Sequence, residues 1–264
     1  MPDRFPIGFF DSGVGGLSVM REVRRLLPKE NLLYVADSAY CPYGFRPARE
    51  IRNRAYALTE FLLSRQAKII VVACNTASAA GLDALRQKYD VPFVGMEPAV
   101  KVAAACSRSG KVGVLATSVT ISGRRFSSLI ERFANGVEVL TQPCPGLVEL
   151  VEAGRYKSDE ARELLRQYLD PILLHGADVV ILGCTHYPFL RPTIEAIVGP
   201  GVQVIDTGEA VARQVVRVLQ HHKLQNLSGH PGRASFFTSG DPVKVGEVVS
   251  CLWGETVRVE KVDV

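Results

Sequence analysis

Lys68-Ile-Ile-Val-Val-Ala-Cys74-Asn75-Thr76-Ala-Ser-Ala-Ala and Asp178-Val-Val-Ile-Leu-Gly-Cys184-Thr185-His186-Tyr-Pro-Phe share one layout. Each is an unbroken apolar run that ends at a cysteine and passes through small polar residues into a predicted helix. A run without polar alternation suits a strand covered on both faces, as in parallel sheets. Further runs at 6–10, 31–36, 91–95, 111–116, 137–140 and 202–205 repeat the theme, with charged residues at helical spacing between them. The class is α/β with mostly parallel sheets.

The runs also repeat in order. Ile7 and Val112, Leu32 and Val137, Cys74 and Cys184, and Phe93 and Val204 align at nearly constant separation. Four matches in the same order predict two similar flavodoxin-like lobes facing a central cleft. The tail has no counterpart after Gly95: a helix-like stretch at 209–219, a polar loop at 221–233, a strand at 234–238, a helix start at Asp241-Pro242 and an alternating edge strand at 256–262. It is expected to return to the first lobe, giving lobes of 1–97 plus 208–264 and of 98–207.

Composition narrows the function classes. The 264 residues are 47% hydrophobic and 22% charged, which excludes disorder, collagen and coiled coil as descriptions of the whole. A net charge of +4 is too mild to argue for a nucleic-acid partner. No apolar run reaches membrane-spanning length, and the start, Met1-Pro-Asp-Arg-Phe-Pro, lacks the pattern of a secretory leader. Cysteines at 41, 74, 106, 144, 184 and 251 form no Cys-x-x-Cys, so neither a disulfide scaffold nor a structural zinc site is expected. They read as reduced thiols of a cytoplasmic protein.

Cys41, Cys106, Cys144 and Cys251 read as packing residues, Cys41 within a Cys41-Pro-Tyr43-Gly44 turn. Cys74 and Cys184 differ by their paired placement at the carboxyl ends of strands, where ligands bind in open α/β sheets. A helix N-terminus there is expected to lower a thiol's pKa from about 8.5. Two thiols from two like lobes suit a reaction with equivalent opposite steps: a proton leaves one face of a carbon and another arrives on the mirror face. Asp11, at the end of the first strand, could assist Cys74, and His186 could assist Cys184. Asp11 equally suits a helix cap, and His186 a buried structural imidazole.

Asp11-Ser12-Gly13-Val-Gly15-Gly16 lacks the lysine of a phosphate loop, so its glycines are expected to let backbone N–H groups approach a carboxylate. Asn75-Thr76 and Thr185-His186 offer further donors. A single-thiol decarboxylase or isomerase, and a two-lobed binding protein without turnover, remain open on these residues. A thiol phosphatase does not, since the residues six positions on are Ala80 and Leu190 rather than arginine.

Asp11-Ser-Gly-x-Gly-Gly, Ala36-Asp37-Ser38 with Pro42-Tyr43-Gly44, Ala73-Cys74-Asn75-Thr76-Ala, Gly183-Cys184-Thr185-His186-Tyr-Pro and Phe237-Thr238-Ser-Gly-Asp241-Pro together resemble the glutamate racemases of the aspartate/glutamate racemase family. The resemblance runs from near residue 7 to beyond 240. It implies an isomerase that interconverts L- and D-glutamate without a cofactor or metal and supplies D-glutamate for bacterial peptidoglycan. Cys74 would take the Cα proton of the D-isomer while Cys184 protonates the opposite face, with roles reversed for the L-isomer. Asp11 would assist Cys74, and His186 with Glu152 would assist Cys184. Substrate contacts carried over by the resemblance are Asp11, Ser12, Asp37, Tyr43, Gly44, Asn75, Thr76, Thr185 and His186. A homodimer is the expected assembly. His221, His222 and His230 lie outside these motifs and read as surface.

Overall fold

The computed structural model describes residues 5–264; Met1 to Arg4, the head of the segment read as lacking a leader, lie outside the described residues. The chain alternates strands and helices. The first stretch is β1 (Ile7–Asp11), α1 (Leu17–Leu26), β2 (Leu32–Ala36), α2 (Ala48–Ser64), β3 (Ile69–Val72), α3 (Asn75–Lys88) and β4 (Phe93–Val94). The second is α4 (Val100–Cys106), β5 (Lys111–Ala116), α5 (Ser118–Ile121), α6 (Arg124–Phe133), β6 (Glu138–Pro143), α7 (Leu147–Glu152), α8 (Asp159–Leu174), β7 (Val179–Leu182), α9 (Arg191–Val198) and β8 (Gln203–Ile205). The tail adds α10 (Gly208–His221), β9 (Ala234–Thr238), α11 (Pro242–Trp253) and β10 (Val259–Lys261).

Two parallel sheets result, one in the order β10-β9-β2-β1-β3-β4 and one in the order β6-β5-β7-β8. The second order repeats the last four strands of the first, β2-β1-β3-β4. Ile7 lies opposite both Leu32 and Ile69, and Val112 lies opposite both Val139 and Val179. The equivalent of Leu32 is therefore Val139, two residues beyond the Val137 expected from the sequence. The reason is that β6 is an edge strand with exposed positions, so its apolar run does not mark its limits. The pairs Cys74 with Cys184 and Phe93 with Val204 hold, because Ile70 faces Phe93 as Val180 faces Val204.

Strand periodicity sorts the core. Ile7, Phe9, Ile69 and Val71 pack on the side of α1 and α10, whereas Phe10, Ile70 and Val72 pack with Leu58 and Leu62 of α2 and Leu85 of α3. All four residues of β3 are wholly buried, each such side chain contributing about 1.5–3 kcal/mol by its removal from water. Both faces are covered, which is why these strands read as continuous apolar runs. β9 pairs with β2 in the first sheet and β10 pairs with β9 at its edge, over a shorter span than the alternation at 256–262 suggests. Among the described residues no helix is long and apolar enough to cross a membrane.

Candidate active site

The carboxyl rims of the two sheets carry the thiols. Cys74 is the N-cap of α3, its Sγ accepting from the Ala77 N–H at 3.4 Å. Cys184 follows β7 but precedes only a short 3-10 turn, Tyr187–Leu190, with α9 beginning afterwards. The predicted helix start at Cys184 is thus replaced by a tighter turn, since Pro188 and Pro192 restrict the local backbone. Cys74 is 5% exposed and Cys184 8%.

Asp11 ends the strand beside β3 and is wholly buried. Its Oδ1 accepts from the Ser12 N–H at 2.6 Å, and its Oδ2 from the Gly16 N–H at 2.6 Å and the Thr185 hydroxyl at 3.1 Å. Gly16, not Asp11, is the N-cap of α1. Burial pushes the Cys74 thiol well above its ordinary pKa, and the Asp11 charge adds to the effect. The helix terminus was expected to lower it, but loss of water outweighs the one N–H bond. The charge on Cys184 acts in the same direction on Cys74. Asp11 is itself raised by burial, against the pull of His186 and of its hydrogen bond with Cys74.

On the second thiol, His186 Nδ1 lies 3.7 Å from Cys184 Sγ, and Nε2 lies 2.6 Å from Glu152 Oε1. The same Glu152 oxygen accepts from the Val14 N–H at 2.6 Å, joining α7 to the glycine loop. Burial works to lower the His186 pKa, yet hydrogen bonds to Cys184, Cys41 and Glu152 hold it well above the usual value. A methyl group at Gly13 would overlap the Glu152 carboxylate, and one at Gly15 would overlap the His186 ring. The loop's glycines therefore admit the protein's own carboxylate and imidazole. The expected open cradle for a ligand carboxylate is occupied at the Val14 and Gly16 amides by Glu152 and Asp11.

The remaining candidates sort by their partners. Ser12 sits 4.0 Å from the Cys74 sulfur through its hydroxyl. Asn75 is 4% exposed, and neither atom of its side-chain amide has a partner among the described residues. Such a buried amide needs a polar partner, which a ligand or a water molecule can supply. Thr76 forms a hydroxyl triangle with Thr117 and Thr120 of the second lobe, at 2.9, 3.4 and 3.0 Å. Gly44 approaches the same Thr117, where a Cβ would lie 3.0 Å away. The Asp37 carboxylate is saturated by protein donors: Arg54 in a two-point clasp at 2.9 and 2.7 Å, Tyr43 at 2.5 Å and Ser239 at 2.6 Å. It holds Tyr43 in place rather than offering itself to a ligand.

Sequence reasoning missed Cys41, Arg54, Thr117 and Thr120. The Cys41 sulfur is close to Glu152 and His186, all three donor groups being of metal-ligating types and lying within 4.8 Å of one another. Burial pushes this thiol up to about 12, with Glu152 next in effect. Cys144 is a core residue, whereas Cys106 and Cys251 are exposed rather than packed. A narrow cavity of about 20 Å³ lies between Pro42, Gly44 and Phe45 on one side and Thr117, Cys144 and Val148 on the other.

The profile of the Asp/Glu/Hydantoin racemase family matches residues 7–215. A glutamate racemase of Ectopseudomonas mendocina (strain ymp) is 54% identical over 256 residues, covering 96% of this chain and 97% of that one. The crystal structure of the glutamate racemase isoform RacE1 from Bacillus anthracis superposes with a TM-score of 0.86 at 33% identity, covering 98% of this chain and 97% of that one. The Escherichia coli glutamate racemase, solved in complex with L-glutamate and the activator UDP-MurNAc-ala, gives a TM-score of 0.86 at 35% identity and 98% coverage of both chains. Similarity of this extent, running the length of the chain and through both cysteine turns, makes the protein a racemase, and the chain belongs to the Asp/Glu/Hydantoin racemase family in its glutamate racemase branch.

Proposed function

We propose that this isomerase interconverts L- and D-glutamate by two-thiol proton transfer, supplying D-glutamate for peptidoglycan. The carrying observation is that Cys74 and Cys184 occupy equivalent positions after β3 and β7, each with its own proton-handling partners. With D-glutamate, the Cys74 thiolate takes the Cα proton, the electron pair passes into the α-carboxylate, and the Cys184 S–H returns a proton to the opposite face. The reverse direction exchanges the roles. Asp11, made more basic by burial, accepts the Cys74 proton between turnovers. His186, oriented by Glu152, serves Cys184.

Asn75, Thr76, Ser12, Tyr43, Gly44 and Thr185 bind the substrate's polar groups in this reading. The unpartnered Asn75 amide supports it most directly. Exclusion of water around both sulfurs strengthens each donor aimed at the developing carbanion. We take the lobes as 1–97 with 208–264 and as 98–207, supported by the place of β9 and β10 in the first sheet. Thiol chemistry of this kind suits a reducing compartment such as the cytoplasm.

The test is exchange in D₂O. The purified protein, without pyridoxal phosphate, is expected to place deuterium at Cα of glutamate and to abolish its optical rotation. Cys74→Ala and Cys184→Ala are each expected to stop racemisation; unchanged turnover in both variants would sink the mechanism.

A further inference from the structure

Cys41 belongs to the site yet has no part in the proton transfer described above. Its sulfur converges with the Glu152 carboxylate and the His186 imidazole from three separate segments: the turn after β2, the end of α7 and the turn after β7. The missing side chain of Gly13 makes the room, since a Cβ there would lie 2.9 Å from Cys41 Sγ. Two of the three groups are held from behind, Glu152 by the Val14 N–H and His186 by Cys184 at its other ring nitrogen. Metal-binding imidazoles are commonly oriented in this way. An open cavity of about 320 Å³, lined in part by Ser38, Cys41, Pro42, Glu149 and Glu152, gives access to the cluster.

We propose that Cys41, Glu152 and His186 form a three-ligand Zn²⁺ site, with a fourth position left to water, whose occupancy arrests turnover. Thiolate, imidazole and carboxylate are zinc donors, and three protein ligands is the number found in open zinc sites. Metal–ligand distances of about 2.0–2.3 Å require the Glu152 and His186 donors to part by roughly 0.7 Å from hydrogen-bond distance. Binding releases to solvent the Cys41 Sγ proton and the proton shared by His186 and Glu152; no electron changes hands. With zinc on Nε2, the remaining ring proton resides on Nδ1 facing Cys184. The imidazolium that lacks zinc can pass this Nδ1 proton to the Cys184 thiolate and keep its Nε2 proton on Glu152. The zinc-bound ring could do so only by becoming an imidazolate, so it no longer exchanges protons with that sulfur.

The arrest rests on the role given to His186 under the proposed function, whereas the metal site does not, so the two are tested separately. Co²⁺ titrated into the full chain is expected to produce a near-ultraviolet thiolate-to-metal band that saturates at one equivalent. The band should vanish in both Cys41→Ser and Cys41→Ala. It should persist in Cys184→Ser and when His221 and His222 are both changed to Asn. The Zn²⁺ concentration giving half-inhibition should rise at least about tenfold in Cys41→Ser relative to its own zinc-free rate. A band that survives in the Cys41 variants, or that is lost in Cys184→Ser, overturns the site. A Cys41-dependent band with racemisation indifferent to zinc supports the site and overturns the arrest. The same band in a protein that does not racemise glutamate overturns the proposed function while supporting the site.

Discussion

The Thr185 hydroxyl donates to Asp11 Oδ2 at 3.1 Å, tying the turn of one thiol to the carboxylate beside the other. That carboxylate also accepts the Ser12 and Gly16 amides. In Asp11→Asn an amide nitrogen must face at least one of these donors. The variant is expected to lose about 1–3 kcal/mol of stability and roughly 10²- to 10⁴-fold in kcat. Urea unfolding and polarimetry measure the two effects; an unaltered kcat removes Asp11 from the mechanism.

Glu152→Gln keeps the size of the side chain and removes the charge opposite His186. The kcat is expected to fall by roughly 10²-fold with the fold intact by circular dichroism. A rate within twofold of the parent would show that Glu152 merely fills space.

Gly13→Ala and Gly15→Ala probe the same contact from the loop side, because each added methyl overlaps the Glu152 carboxylate or the His186 ring. Overpacking of this kind costs about 1–3 kcal/mol. Both variants should therefore melt earlier and turn over more slowly, and a Gly15→Ala protein with parental melting temperature and rate contradicts the geometry.

The raised His186 pKa has a signed effect on stability. Below the unfolded value of about 6.5 the ring is protonated in both states and its stabilising contribution is complete. As pH rises through the elevated folded value, that contribution is lost. The melting-temperature gap between the parent and His186→Gln should be widest near pH 6 and narrow on going alkaline; a widening gap would reverse the assigned direction.

Arg54 closes a buried pair with Asp37 and also donates to the Val264 carbonyl. Arg54→Ala leaves the carboxylate buried and uncompensated, an expected loss of about 3–5 kcal/mol. Differential scanning calorimetry should detect it readily, and a shift of less than a degree would contradict the assignment.

The strands with both faces covered were legible as apolar runs, and so was the correspondence of β3 with β7, because burial on both sides leaves a dense signal. The strand β6 was not, since its exposed edge dilutes that signal and moved Val137 into the place of Val139. Cys74, Cys184 and Asp11 could be picked out by their position at strand ends. Glu152 came only through family resemblance, for its contact with Val14 joins residues far apart in the chain. Cys41 is marked in the sequence only by its Cys41-Pro-Tyr43-Gly44 turn and reads as packing, since the neighbours that give it a role are supplied by two other segments of the fold. The saturation of Asp37 likewise depends on Arg54 and on Ser239 from the distant tail.

Cys74 heads a fourteen-residue helix while Cys184 heads a single tight turn. Two enantiomers of equal free energy in water thus meet unequal surroundings once bound. Because their equilibrium constant is one, kcat/KM must be the same in both directions. Whichever enantiomer is held more tightly must then turn over more slowly by the same factor. The imbalance of the two turns is silent at low substrate and emerges only at saturation, as a difference between the forward and reverse maximal rates.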